Sequence, residues 1–124
     1  MAHTPEHTIE EATRAYREGD AATLSRLLAD NVRVLGSEWG DDWQGREQAD
    51  EHLAGELALR RSVSGPLVED PFTVDTSDDG NMAWSSRKGR LYLDDKVYEA
   101  SWTTVLRKDK EDWKIVHSHF SIHR

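Results

Sequence analysis

The chain has no cysteine, only three prolines and no long apolar run. Without cysteine there is no disulfide framework, no thiolate nucleophile and no cysteine-based zinc site. No stretch approaches the roughly 20 apolar residues that span a bilayer. The first apolar residues are spaced among Glu, His and Arg, as on an amphipathic helix and not as in a secretory leader, so a cytoplasmic protein is the expectation. Positive charge is also scarce, with 16 Lys and Arg against 24 Asp and Glu and a net charge of −8. Nucleic acid and anionic membrane surfaces both need concentrated basic patches, so neither is an expected partner.

What the chain does have is tryptophan. Five of its 124 residues are Trp (Trp39, Trp43, Trp84, Trp102 and Trp113). Each is a large apolar surface whose ring N–H needs a partner once buried. The length suits one domain, residues 1–124, with a core that needs no metal or disulfide.

Thr4-Pro5-Glu6 reads as a helix start: a hydroxyl cap, proline in the first turn, then an acid at the positive end of the dipole. Ile9, Ala12, Thr13 and Tyr16 follow at helical spacing, with Tyr16 in the core and its hydroxyl in reach of a cavity. Gly19 suits the left-handed residue that ends a helix, and Asp20 caps a second one through Leu24, Leu27 and Leu28 to Asp30-Asn31. Val32 to Leu35 is a short strand. Gly36 to Gly45 reads as a loop. Arg46 to Arg61 returns to helical spacing, with Ala49, Leu53 and Leu57 inward, and Ser64-Gly65-Pro66 breaks the chain.

From Leu67 the period changes to two. Phe72 and Val74 alternate with polar residues, Ser77 to Asn81 turns the chain, and strands follow over Met82–Leu93, Val97–Arg107 and Trp113–Ile122. Asp94-Asp95 marks the first hairpin and Lys108 to Asp112 the second. Helices first and a four-strand antiparallel meander after them mean an α+β domain.

Strict alternation places Trp113, Ile115, His117, His119 and Ser121 on one face of the last strand. Three roles are open for the histidines. They are neutral and hydrogen-bonded inside the sheet, or they act as acid, base or donor on a pocket wall, or they supply two ligands to a metal. No motif supplies a third ligand, so no metal and no cofactor is expected. Asp41 and Asp42, between Trp39 and Trp43, are either solvated loop acids or catalytic partners whose basicity the indoles tune. Trp39 and Trp43 suit a pocket rim as well as a core. Trp102, Thr104 and Leu106 share one face of their strand. Glu99 reads as a surface carboxylate, and His3, His7, His52 and His123 read as surface groups.

Tyr16-Arg17-Glu18-Gly19-Asp20, Leu27-Leu28-Ala29-Asp30-Asn31, the Gly36–Gly45 loop with Trp43-x-Gly45, and the ending Trp113 to Ser121 carry a resemblance across nearly the whole chain. They resemble SnoaL-like members of the nuclear transport factor 2-like superfamily. The ending is also similar to the calcium/calmodulin-dependent kinase II association domain. The resemblance implies a cystatin-like, cone-shaped fold, with a curved antiparallel sheet wrapped around a long N-terminal helix and two further helices. It also implies a pocket and a homodimer formed through the sheet.

The scaffold hosts isomerases, lyases, hydrolases and adaptors, so it does not supply an activity. By the same resemblance the catalytic tyrosine and aspartate of ketosteroid isomerase fall on Ala12 and Gly36, which excludes that machinery. The arginine that related chains carry in the penultimate strand is absent from Ser101-Trp102-Thr103-Thr104, which implies a neutral, aromatic pocket. The expected function is binding of a small, largely apolar molecule by Trp39, Trp43, Trp102, Thr104 and Tyr16, with His117 and His119 as polar contacts. The alternatives are an enzyme using His117 or His119 with Asp41 or Asp42, and an oligomerisation module.

Overall fold

In the computed structural model, residues 4–36, 40–62, 67–69, 72–93 and 96–123 are described, and the side chains of 56–62, 67–69, 91–93 and 123 are left aside. Trp39, His3, the Ser64–Pro66 break, the Asp94-Asp95 hairpin and the side chains of Leu57 and His123 therefore lie outside the described set.

The first helix, α1 (Pro5–Glu18), begins and ends where its capping residues dictate. Thr4 Oγ1 accepts the His7 N–H at 3.1 Å, and Gly19 takes a left-handed φ of 73°. Asp20 caps α2 (Ala21–Leu27), accepting the Thr23 N–H at 3.1 Å. That helix stops four residues short of Asn31, because Leu28 is already extended and pairs with Ile115 in β1 (Leu28–Leu35). The alternation of Leu28, Val32 and Val34 with polar residues serves a strand, which overrides the helical reading of Leu27 to Asn31.

The Gly36–Gly45 segment is not wholly loop either. Asp42–Gln44 forms β2, antiparallel to β1, and Gly36 N–H donates to the Asp41 carbonyl at 3.0 Å to close the hairpin. Helix α3 (Arg46–Ser62) follows, then the short strands β3 (Leu67–Glu69) and β4 (Asp75–Thr76). Three long strands complete the chain: β5 (Met82–Leu93), β6 (Lys96–Asp109) and β7 (Asp112–His123).

The sheet is open and curved, with order β2-β1-β7-β6-β5-β3 and β4 also on β5. All neighbours are antiparallel except β1 and β7, which run parallel. The meander therefore has three long members with two short pieces on its edge strand, and the sheet is mixed where a purely antiparallel one was expected. The crossover from β1 to β7 takes up the rest of the chain, as a parallel pair requires.

The helices cover one face of this sheet. Ile9 of α1, Leu28 and Val32 of β1, Ala49 of α3, Ala83 of β5, Leu106 of β6 and Trp113 and Ile115 of β7 make the main core. Thr8 ties the layers together, its buried hydroxyl donating to the Trp113 carbonyl at 3.2 Å. No helix among the described residues is long and apolar enough to cross a membrane.

Candidate functional site

Beyond the main core the layers separate, and a cavity of about 320 Å³ opens between α1, α3 and the inner face of the sheet. Ile9, Ala12, Thr13 and Tyr16 form its roof, the stripe whose helical spacing marks the buried face of α1. Tyr16 is thus a wall residue as well as a core one. The floor is a cross-strand pair, Trp102 on β6 and Phe120 on β7, with ring centroids 5.4 Å apart. Thr104 and Ser118 form the next pair on the same floor.

One end of the cavity is made by the β1–β2 hairpin. Alternation along residues 41–43 sends Asp41 and Trp43 to the cavity and Asp42 away from it. Trp43 stacks face to face on His52 of α3, with centroids 3.4 Å and planes 11° apart, so His52 is a lining residue and not a surface group. The Asp41 carboxylate lies over Gly36. A Cβ at residue 36 would stand 2.7 Å from Asp41 Oδ2, so only glycine leaves that space open. Position 36 thus brings no side chain of its own, and its place is filled by the carboxylate of residue 41.

Asp42 is committed elsewhere. Arg33 grips it through Nε and Nη2 at 3.0 and 2.9 Å, and that hydrogen-bonded guanidinium holds the Asp42 carboxyl below the usual carboxylate range. Asp42 is a surface ion-pair member and does not line the cavity.

The other end carries a cation that the sequence reading missed. Arg87 of β5 is only 8% exposed, pairs across the sheet with Trp102, and lines the cavity. Its guanidinium lies 5.4 Å from the Phe72 ring and 5.7 Å from Trp102, and Nη1 donates to Thr13 Oγ1 at 3.3 Å. The expectation of a neutral pocket is therefore corrected: the penultimate strand has no arginine, but the strand beside it does. The alternation of Ala83, Ser85, Arg87 and Gly89 with exposed residues held the signal, since a charged residue in an inward register is an anomaly.

The last strand departs most from the sequence reading. Val105 pairs with His117 while Leu106 pairs with Ile115, so Val116 is an extra residue in β7, a β-bulge. Up to Ile115 the odd-numbered side chains face the core. After the bulge the even-numbered ones do, and Ser118, Phe120 and Ile122 line the cavity. His117 and His119 do not share the face of Trp113 and Ile115, and they do not line the cavity. They point to the outer face, opposite Val105 and Thr103. Burial, then His119, then Arg33 disfavour a charge on His117 and lower its pKa. The outer face also carries Trp84, 42% exposed. Among the described residues no group of three or more His, Asp or Glu could hold a metal ion.

A family model described as a SnoaL-like domain matches residues 6–124. The chain belongs to the SnoaL-like family. No curated protein is significantly similar to it. Among solved structures, a nuclear transport factor 2-like protein of unknown function from Pseudomonas putida KT2440 superposes with a TM-score of 0.79 at 20% identity, over 94% of this chain and 82% of that one. A protein from Parabacteroides distasonis ATCC 8503, provisionally named a ketosteroid isomerase, gives 0.78 at 22% identity over 97% and 88%. A member of the nuclear transport factor 2-like family from Streptomyces avermitilis, provisionally named a dehydratase, gives 0.79 at 19% identity over 96% and 93%. At such identities the likeness establishes the fold, and the activities stay with those proteins.

Proposed function

We propose that this SnoaL-like domain binds a small, largely apolar organic molecule in the cavity beneath α1, as a homodimer paired through the outer face of its sheet. The carrying observation is the cavity itself: about 320 Å³, walled by side chains such as Ile9, Leu24, Leu28, Val34 and Ile115 and floored by Trp102 and Phe120. A concave site of that size, with mostly apolar walls and a limited set of polar groups that includes Arg87, Asp41 and His52, is the usual form of a small-molecule site. Trp43 at one end and Trp102 on the floor give intrinsic fluorescence a direct view of occupancy.

The test is a screen of small apolar compounds read by tryptophan fluorescence and melting temperature, repeated on the cavity-filling variant Ala12→Trp. Compounds should quench or shift the emission and raise the melting temperature of the wild type, and the variant should lose both responses. Silence across the screen, or equal responses in the variant, would remove the reading. For the dimer, light scattering should give twice the chain mass, and Trp84→Glu should shift it to the monomer. A wild-type monomer would remove that part, and an assembly larger than a dimer would favour an association module.

Catalysis is the second reading, favoured by Asp41. Its carboxylate lines the cavity in the space that Gly36 leaves open, where a bound carbon acid could give up a proton to it. His117 and His119, on the outer face, have no part in it. With 5-nitrobenzisoxazole as a test substrate, Asp41 would take the C3 proton while the N–O bond breaks to release the nitrile phenolate. Asp41→Asn should abolish that release without altering occupancy of the cavity. Unchanged release would exclude Asp41 as the base.

A further inference from the structure

The bulge at Val116 that turns Ser118 and Phe120 inward turns His117 and His119 outward. The two histidines stand two residues apart on one face of β7, roughly 7 Å between their Cα atoms. From that spacing two ring nitrogens can close on one metal ion, each about 2.0–2.1 Å from it. His119 is exposed and His117 half-buried. Neither imidazole takes part in a hydrogen bond or ion pair with another described side chain.

The flanks of the pair suit a cation. Arg33 of β1 stands directly beside His117, and Asp42 neutralises it at 2.9 Å. On the other flank Val105 pairs with His117 and Thr103 with His119. The Thr103 hydroxyl, 3.2 Å from Ser86 Oγ, stands beside His119 as an acceptor for its second ring N–H. Ligating histidines use such a partner to fix the tautomer and orientation of the ring.

One chain provides two ligands, and no third His, Asp or Glu among the described residues joins them. A structural zinc ion takes four ligands in a tetrahedron. A two-fold axis lays a surface patch against its own copy, so a pair on one chain becomes four across the interface. Trp84, 42% exposed, lies in the same cross-strand row as His117, beyond Val105. A large aromatic beside the pair is the kind of surface that interfaces cover.

We propose that His117 and His119 are half of a zinc site that a second copy of this chain completes, four imidazoles holding one ion between two sheets. The site is separate from the cavity. It rests on the pairing through the outer face proposed above and gives that pairing a chemical basis. Imidazoles also take copper(II) and nickel(II), but those ions favour planar arrangements, and a tetrahedral set selects zinc.

The test uses untagged protein stripped with EDTA, titrated with zinc(II) by calorimetry and weighed by light scattering. Wild type should take one zinc per two chains, and the two-chain assembly should survive about tenfold further dilution with zinc than without. Cobalt(II) in place of zinc should give the intense visible absorption of a four-coordinate ion. His117→Gln and His119→Ala should each lose the zinc response, and His7→Gln, on α1, should keep it. One zinc per chain with no effect on assembly, or no binding at all, would overturn the shared site. A two-chain mass in the metal-free protein would then leave the pairing standing. Assembly that appears only on adding zinc would support the site and confine the pairing to the loaded form. A single-chain mass with and without zinc would remove both.

Discussion

The imidazole of His52 lies flat on the indole of Trp43, 3.4 Å from centroid to centroid, and this contact joins α3 to the β1–β2 hairpin. The contact covers one face of each ring, an area of apolar surface whose burial contributes on the order of 1 kcal/mol. His52→Ala should lower the unfolding free energy by about 1 kcal/mol, and His52→Phe should recover most of it. Urea denaturation of the three proteins checks both values.

A buried hydrogen bond links the other helix to the sheet. Thr8 Oγ1 donates to the Trp113 carbonyl, and Thr8→Val keeps the shape while removing the donor. The expected loss is about 1–2 kcal/mol, since the carbonyl keeps its burial and loses a partner. Thr8→Ser should be milder, and thermal melts will order the three.

His117 makes stability depend on pH. Its folded pKa lies below the value near 6.5 that it regains on unfolding, because burial, His119 and Arg33 oppose its charge. The unfolded chain therefore binds the proton first as pH falls. Stability attached to the neutral imidazole is complete above the unfolded value and is lost as pH drops from there through the folded one. The melting temperature should fall on going from about pH 7.5 to about pH 5.5 across the ordinary imidazole pKa. His117→Gln should flatten that part of the profile.

Deleting Val116 should be far more damaging than replacing it. Without the extra residue, every side chain after Ile115 changes face, sending Phe120 and Ile122 outward and His117 and His119 inward. Val116→Ala should keep the fold with a loss of about 1 kcal/mol or less, since the residue is only half-buried. The deletion should abolish the cooperative melt seen by circular dichroism.

Much of this architecture could be read from the residues. Thr4, Gly19 and Asp20 fixed the limits of α1 and the start of α2 because capping is a local matter. The period-two pattern gave the three long strands within a few residues. Of the residues expected at the site, Asp41, Trp43, Trp102, Thr104 and Tyr16 do line one cavity, while Asp42, His117 and His119 do not. What escaped was set by partners distant in sequence. Leu28 is extended because Ile115 holds it, which no local propensity announces. His52 looked like a surface group because Trp43 is nine residues away on another element. Arg87 reads locally as a surface cation, and only its pairing with Trp102 across the sheet turns it inward. The histidines were misplaced by one uncounted residue.

That uncounted residue also bears on descent. A single inserted codon near residue 116 leaves the string His-Ser-His-Phe-Ser intact and reverses which of its letters meet the ligand and which meet the outside. Two lineages could share this ending word for word and yet inherit different binding chemistries from it. Equivalence between relatives in this strand has to be counted from both of its ends.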